Sequence, residues 1–192
     1  MVQIFGEEDL LEHIESGQEH YTHLISIGNP RRFFGRENPG QFVPSVFQHS
    51  FKAILRLEFF DVETLEHLGP MRPKRVPMLR DVRKAIDFYH RTRNDASGYT
   101  FHCWRGISRS PAFALGYLYL ITGSESEAGR RLREIRPEAM PLKIVVRYFD
   151  EILNCNLSVV NDEIRRERIA DLKRELQSGV DELLEELPVA EE

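Results

Sequence analysis

Cysteine is scarce in this chain of 192 residues: Cys103 and Cys155 are the only two, too few for the disulfide framework on which small secreted domains depend. A reducing, cytoplasmic setting is therefore expected. No apolar run approaches the roughly 20 residues that a membrane-spanning helix needs. The longest, PAFALGYLYLIT at 111–122, reads as a buried helix, and no signal-peptide pattern opens the chain. An excess of positive charge is missing as well. The net charge of −5 excludes a general nucleic-acid binder, which must neutralise backbone phosphate with surplus cations.

What is present is a chain long enough for one good core, and one folded domain is expected. Charge is unevenly spread along it. Residues 70–110 carry ten Lys and Arg against three Asp and Glu, whereas residues 1–69 and 162–192 each carry five against eleven. A positive field is thus expected around residues 70–110, of the kind that draws anions into a cleft, unless these are ordinary solvated helix charges.

Apolar periodicity supplies the frame. VQIF at 2–5 reads as a strand, EEDLLEHIE at 7–15 as a helix, HLISIG at 23–28 and AILRLEFF at 53–60 as strands. Between them NPRRFFGRENPG reads as a loop, in which Arg31, Arg32, Phe33, Phe34 and Arg36 either flank a bound aromatic group or pin the loop to the core. Val82, Ile86 and Tyr89 mark the buried stripe of a helix over 79–92, and YTFHC forms a central strand. Ser124 and Glu127 stand at capping-box spacing ahead of a helix that runs to Arg136, where Pro137 stops it, and another helix begins near Pro141. Strands alternating with helices, then helices alone, predict an α/β domain with a twisted central sheet of four to five strands flanked by helices.

Residues 102–110, HCWRGISRS, carry the chemistry. Thiols attack as thiolates, a form favoured by helix N-termini, convergent backbone N–H groups and fixed cations. A loop from Cys103 to Arg109, closed by a helix starting near Ser108, would bring its N–H groups to one point and form an anion nest of phosphate size. Arg109 would cap it, because a planar guanidinium can grip two phosphoryl oxygens together. Gly106 offers positive φ to the turn, and Pro111 sits in the first helical turn, where a missing N–H costs little.

HCWRGISRSPA resembles the signature loop of the cysteine-dependent protein tyrosine phosphatases, and the GISRSPA form is most similar to the compact dual-specificity phosphatases and their prokaryotic relatives. The resemblance runs from about Ala53 to Asp150. It implies a protein tyrosine phosphatase-like fold and a phosphatase, tyrosine-directed or dual-specific, that works without metal or cofactor through a phosphocysteine intermediate. By position, Cys103 would be the nucleophile, Arg109 the holder of the equatorial oxygens and Ser110 the group that steadies the departing thiolate. His102 would tune the cysteine or simply pack at the strand end, while Trp104, Arg105, Gly106, Ile107 and Ser108 would form the rest of the substrate-binding loop. Trp104 either lines the mouth of the pocket or packs beneath it. The lysines that phosphoinositide-directed relatives carry in this loop are absent, which disfavours a lipid. RPEAMPLK resembles the RPxxxPN segment of the compact relatives, with Leu142 where they usually carry asparagine.

Ester cleavage also needs a carboxylic acid on the far side of the phosphorus. Asp61 is the candidate, because it follows the strand ending at Phe60 and the carboxyl ends of strands are where open α/β sheets place ligands. Glu63 is the nearest alternative. The relatives usually hold this acid closer to the cysteine, and LGPMRPKRVP at 68–77 reads as the insertion. Asp87 faces solvent in the helical pattern, Asp81 sits at a helix start, and Asp95 lies in a turn. The expected substrate is a phosphotyrosine protein or a small aryl or alkyl phosphate monoester. Two other functions fit the same residues: a catalytically inactive phosphoprotein-binding module, and an arsenate-reductase-like redox enzyme with Cys155 as resolving thiol.

The domain is expected to span 1–156, followed at 157–192 by a charged amphipathic helical extension. There Ile169, Leu172, Leu176, Val180, Leu183 and Leu187 recur every three or four residues. That stripe either packs on its own domain or serves self-association with a second copy.

Overall fold

The computed structural model describes residues 1–18, 21–30, 32–33, 36–37, 49–63 and 75–185, with the side chains of 32–33, 36–37 and 181–185 outside that description. The insertion expected at 68–77 falls largely outside it, as do the side chains of the 31–36 loop.

β1 (Val2–Phe5), β2 (His23–Gly28), β5 (Ala53–Glu58) and β6 (Tyr99–His102) form a parallel sheet in the order β1-β6-β2-β5. Two short strands, β3 (Arg32–Phe33) and β4 (Arg36–Glu37), pair apart from it. Sheets covered on both faces need strands that are apolar throughout, and HLISIG and YTFH are buried at every position. Register places the working edge. Gly28 lies opposite Glu58, and both Ser26 and Phe5 lie opposite His102. Asn29, Phe59 and Cys103 therefore emerge side by side at the carboxyl ends of neighbouring strands.

β5 ends at Glu58, two residues before the expected Phe60. Phe59 still donates its N–H to the Gly28 carbonyl (3.0 Å), but Phe60 donates to Arg75 (3.1 Å), so the chain peels away from the sheet there. That departure leaves the Phe59 carbonyl pointing at the candidate site.

Among the described residues six helices surround the sheet: α1 (Glu7–Glu15), α2 (Leu79–Thr92), α3 (Arg109–Thr122), α4 (Glu125–Ile135), α5 (Lys143–Leu153) and α6 (Leu157–Glu185). α3 is apolar on almost every side and is buried from Arg109 to Leu118. Its Tyr117 hydroxyl donates to the Ala85 carbonyl of α2 (2.6 Å), and its ring meets those of Tyr89, Tyr99 and Phe101 edge-on. Asp81, expected as simple helix-dipole chemistry, is fully buried: it accepts from the Met78 N–H (3.0 Å) and from Arg75 (2.9 Å), closing the start of α2.

α6 begins four residues before Asn161. Leu157, Asn161 and Ile164 are buried against the domain, whereas Ile169, Leu172, Leu176 and Val180 are exposed. Among the described residues, no helix is long and apolar enough to cross a membrane.

α3 and α5 approach where Gly116 faces the buried Phe149 ring, leaving no room for a methyl group: a Cβ at 116 would stand 2.4 Å from the ring. Gly116→Ala should therefore destabilise the protein by about 1–3 kcal/mol despite its better helix propensity, the usual cost of overpacking. Urea denaturation of the two proteins measures the difference, and an unchanged midpoint would contradict this packing.

Candidate active site

Cys103 leaves β6 at the floor of a cleft of about 390 Å³ and is 2% exposed. The Ser110 hydroxyl, in the first turn of α3, donates to its sulfur at 3.1 Å. Between them the loop turns at Gly106, whose φ is +70°. A side chain there would strike the backbone of Phe5 and Gly6 at 2.7 Å, so only glycine fits.

Four carbonyls of this loop are held from outside. Trp104 O accepts from the Glu7 N–H at the start of α1 (3.0 Å), Arg105 O from the Arg136 guanidinium (3.2 Å), Ile107 O from the Met140 N–H (2.8 Å), and Ser108 O from both Leu142 and Ala112 (3.2 Å each). No peptide bond among the described residues is cis. In a trans peptide the N–H points opposite to the C=O, so turning these carbonyls outward turns the N–H groups of Arg105, Gly106, Ser108 and Arg109 toward the interior of the loop. This is the geometry of an anion nest.

Arg109 is 2% exposed, and its Nη1 donates to Asn29 Oδ1 (2.8 Å) and to the Phe59 carbonyl (3.1 Å). Both acceptors are neutral, so the guanidinium is oriented without a hydrogen bond to a carboxylate. Asn29, a wall of the cleft, had no signal in the sequence beyond the turn dipeptide NP. Asp61 also lines the cleft. Its Oδ1 accepts from the Ser108 hydroxyl (2.7 Å), and its Oδ2 stands 3.8 Å from Arg109 Nε, too far for a hydrogen bond but close enough for attraction. Glu63 is engaged elsewhere: its Oε1 accepts from the Lys143 N–H at the start of α5 (3.3 Å). Of the two carboxylates left open by sequence, Asp61 is the one brought over the cysteine loop.

Trp104 is 60% exposed, on the rim, and with Phe60, Val62 and Ile107 it makes the walls largely apolar. Arg105 and Ser108 complete the lining. His102 lies beneath this surface, fully buried, with Nε2 2.8 Å from Ser26 Oγ. Burial, reinforced by the charges of Arg109 and Arg56, pushes its pKa down to about 3, so the ring is neutral at physiological pH. Cys155 is buried at the junction of α5 and α6, its thiol directed at Asp150 Oδ1 (3.5 Å) and the Phe149 carbonyl (3.9 Å), and burial pushes it up to about 11. Among the described cations of 70–110, Arg105 and Arg109 line the cleft, whereas Arg80, Arg83, Lys84 and Arg91 lie on the exposed face of α2. Among the described residues no three His, Cys, Asp or Glu side chains converge as a metal site would require.

The chain has the fold of the dual-specificity-like tyrosine phosphatases. DUSP15 shares it with a TM-score of 0.53 and 17% identity, over 86% of this chain and 90% of that one. The human tyrosine phosphatase-like serine/threonine/tyrosine-interacting protein shares it at 0.52 and 20%, over 78% and 85%, and the active form of Tk-PTP at 0.53 and 14%, over 80% and 91%. No family model and no curated protein matches the sequence.

The depressed His102 pKa makes stability depend on pH. Between about 6.5 and 3 the unfolded chain binds a proton that the folded chain refuses, so stability falls as pH falls through that window. From pH 7.5 to 5 this group alone should remove about 2 kcal/mol. Urea unfolding at the two pH values measures it, and His102→Gln should flatten the dependence by that amount whatever it does to absolute stability.

Proposed function

We propose that the protein is a phosphomonoesterase of the tyrosine or dual-specificity type, acting through a phosphocysteine on Cys103. The observation that carries this reading is the stack formed at the cleft floor: Ser110 donating to the Cys103 sulfur, N–H groups converging above it, and the Asp61 carboxylate over the same cavity. A phosphate dianion seated in the loop would take the convergent N–H groups and the free edge of Arg109. The apolar walls of Phe60, Val62, Trp104 and Ile107 suit an aryl ester such as phosphotyrosine.

In the first step the Cys103 thiolate attacks phosphorus and the P–O ester bond breaks, with protonated Asp61 giving its proton to the leaving oxygen. In the second, Asp61, now a carboxylate, takes a proton from water as the water oxygen bonds to phosphorus. The S–P bond breaks, and inorganic phosphate and thiolate are released. Ser110 stabilises the sulfur anion at the start of the first step and the end of the second. The N–H groups and Arg109 hold the equatorial charge throughout, as preorganised electrostatics requires. Nothing in this sequence of steps calls for a metal or cofactor. A thiolate-dependent enzyme belongs in a reducing compartment, the cytoplasm in this reading. The exposed stripe of α6 is left as the face through which two copies would associate.

A phosphoprotein-binding module is the second reading, and a specific contact favours it: in the resting site Asp61 is already engaged by Ser108 and drawn to Arg109. The arsenate-reductase-like alternative is disfavoured, because a resolving thiol must be exposed and readily ionised and Cys155 is neither.

Wild-type protein should release inorganic phosphate from a phosphotyrosine peptide; saturable binding without release would select the module. Cys103→Ser should reduce turnover to background while retaining phosphate binding, and residual turnover above background would overturn the phosphocysteine route. Asp61→Asn should slow esters with poor leaving groups by about a hundredfold or more, the usual contribution of a general acid. The same variant should act nearly normally on esters whose leaving group needs no proton.

A further inference from the structure

The phosphate loop depends on a strap that itself has to be held. Met140 and Leu142 give their N–H groups to Ile107 O (2.8 Å) and Ser108 O (3.2 Å), and so fix the peptide planes that carry the Ser108 and Arg109 N–H groups. The Leu142 side chain is apolar and buried, so it contributes no polar tie of its own. Leu142 O accepts from the Val145 and Val146 N–H groups of α5 (3.1 and 3.2 Å), while Met140 O and Pro141 O are held by side chains of α6. Asn161, 1% exposed on α6, donates from Nδ2 to Pro141 O (3.3 Å). Arg165, one helical turn further along the same face, donates from Nη1 to Met140 O (3.3 Å) and Pro141 O (3.1 Å). A single turn of α6 thus grips the Pro141–Leu142 peptide, whose N–H bonds Ser108 O, and the Met140–Pro141 peptide beside it. Lys143, next along the chain, is tied to Asp162 of α6 as well (2.9 Å).

We propose that Asn161 and Arg165 are positioning residues for the phosphate loop, acting through the 140–142 strap and never touching substrate. The proposal rests on the phosphatase reading, because it gives the nest an oxyanion to hold. Its physical content is that anchoring Met140 O and Pro141 O on α6 steadies the strap that aims the Ser108 and Arg109 N–H groups inward. Loosening the strap lets those peptide planes rock, and a displacement of 1 Å at such donors costs up to about a hundredfold in rate. Oxyanion affinity should fall together with kcat, because the same N–H groups serve the bound phosphate and the transition state.

The test is made on the full chain, with tungstate binding in the Cys103→Ser background measured by calorimetry and turnover of a phosphotyrosine peptide measured in the otherwise wild-type protein. Arg165→Met should weaken tungstate binding about tenfold and lower kcat by a similar factor with little change in melting temperature, since its contacts are partly exposed. Arg165→Lys keeps a donor able to reach a carbonyl and should recover most of both. Arg166→Ala, an exposed change about 100° round the helix from Arg165, should alter neither. Asn161→Leu tests the buried donor; should it fail to fold, the Arg165 series decides alone. Folded Arg165→Met with wild-type tungstate affinity and kcat overturns the proposal, as does failure of lysine to recover any of the loss. Wild-type protein that neither binds tungstate nor turns over peptide overturns the phosphatase reading itself, a different result from the first.

Discussion

The outward turn of four loop carbonyls is the constraint on which this site depends. Backbone N–H groups repel one another electrostatically when they converge, and an isolated chain would relieve that by rotating its peptide planes. Here each plane is locked by what holds its oxygen: the first turn of α1 at Trp104, Arg136 at Arg105, the strap at Ile107 and Ser108. These clamps come from sequence positions as far apart as 7 and 142, so the loop is set by tertiary structure and cannot exist as a local motif. The steric contact at Gly106 belongs to the same arrangement, since the backbone that excludes a side chain there is the β1–α1 junction that also supplies the Glu7 N–H.

Charge around the loop follows a consistent rule. Arg109 is buried, and an unpaired buried cation is costly, yet its bonded acceptors are the neutral Asn29 and Phe59 carbonyl groups rather than a buried carboxylate. Its positive potential remains directed into the cleft. The same potential, together with burial, keeps His102 neutral, which spares the strand end a second cation. Asp61, the one carboxylate near Arg109 Nε among the described residues, is 41% exposed, so water shares in its solvation and weakens its hold on the guanidinium.

Much of this was legible in the chain. The Cys-to-Arg spacing, the glycine between them and the apolar strand ahead of them mark the loop in the sequence, although the clamps that hold its peptide planes come from remote segments. Helices α1 and α2 and strand β2 fall where apolar periodicity puts them. Asn29 was not legible, since its role depends on β2 lying beside both β6 and β5, a matter of sheet order that no local pattern encodes. Sequence preferred Asp61 to Glu63 by its place directly after the strand, but which helix or loop each meets depends on packing: Asp61 meets Ser108 and Glu63 the start of α5. Asp81 reads as an ordinary first-turn acid, and only the approach of Arg75 explains how it can be buried.

Leu142 illustrates how a departure in side chain and a departure in function can separate. In the compact phosphatases that the sequence resembles, an amide side chain is usual at this position, and its replacement by leucine suggests a weakened loop. The backbone N–H of Leu142 nevertheless reaches the Ser108 carbonyl, and its apolar side chain enters the core. Peptide groups carry the contact to the loop here, and the side-chain donors to the strap, Asn161 and Arg165, stand on α6. No single position on the strap discloses them, whereas following each peptide oxygen to its donor does.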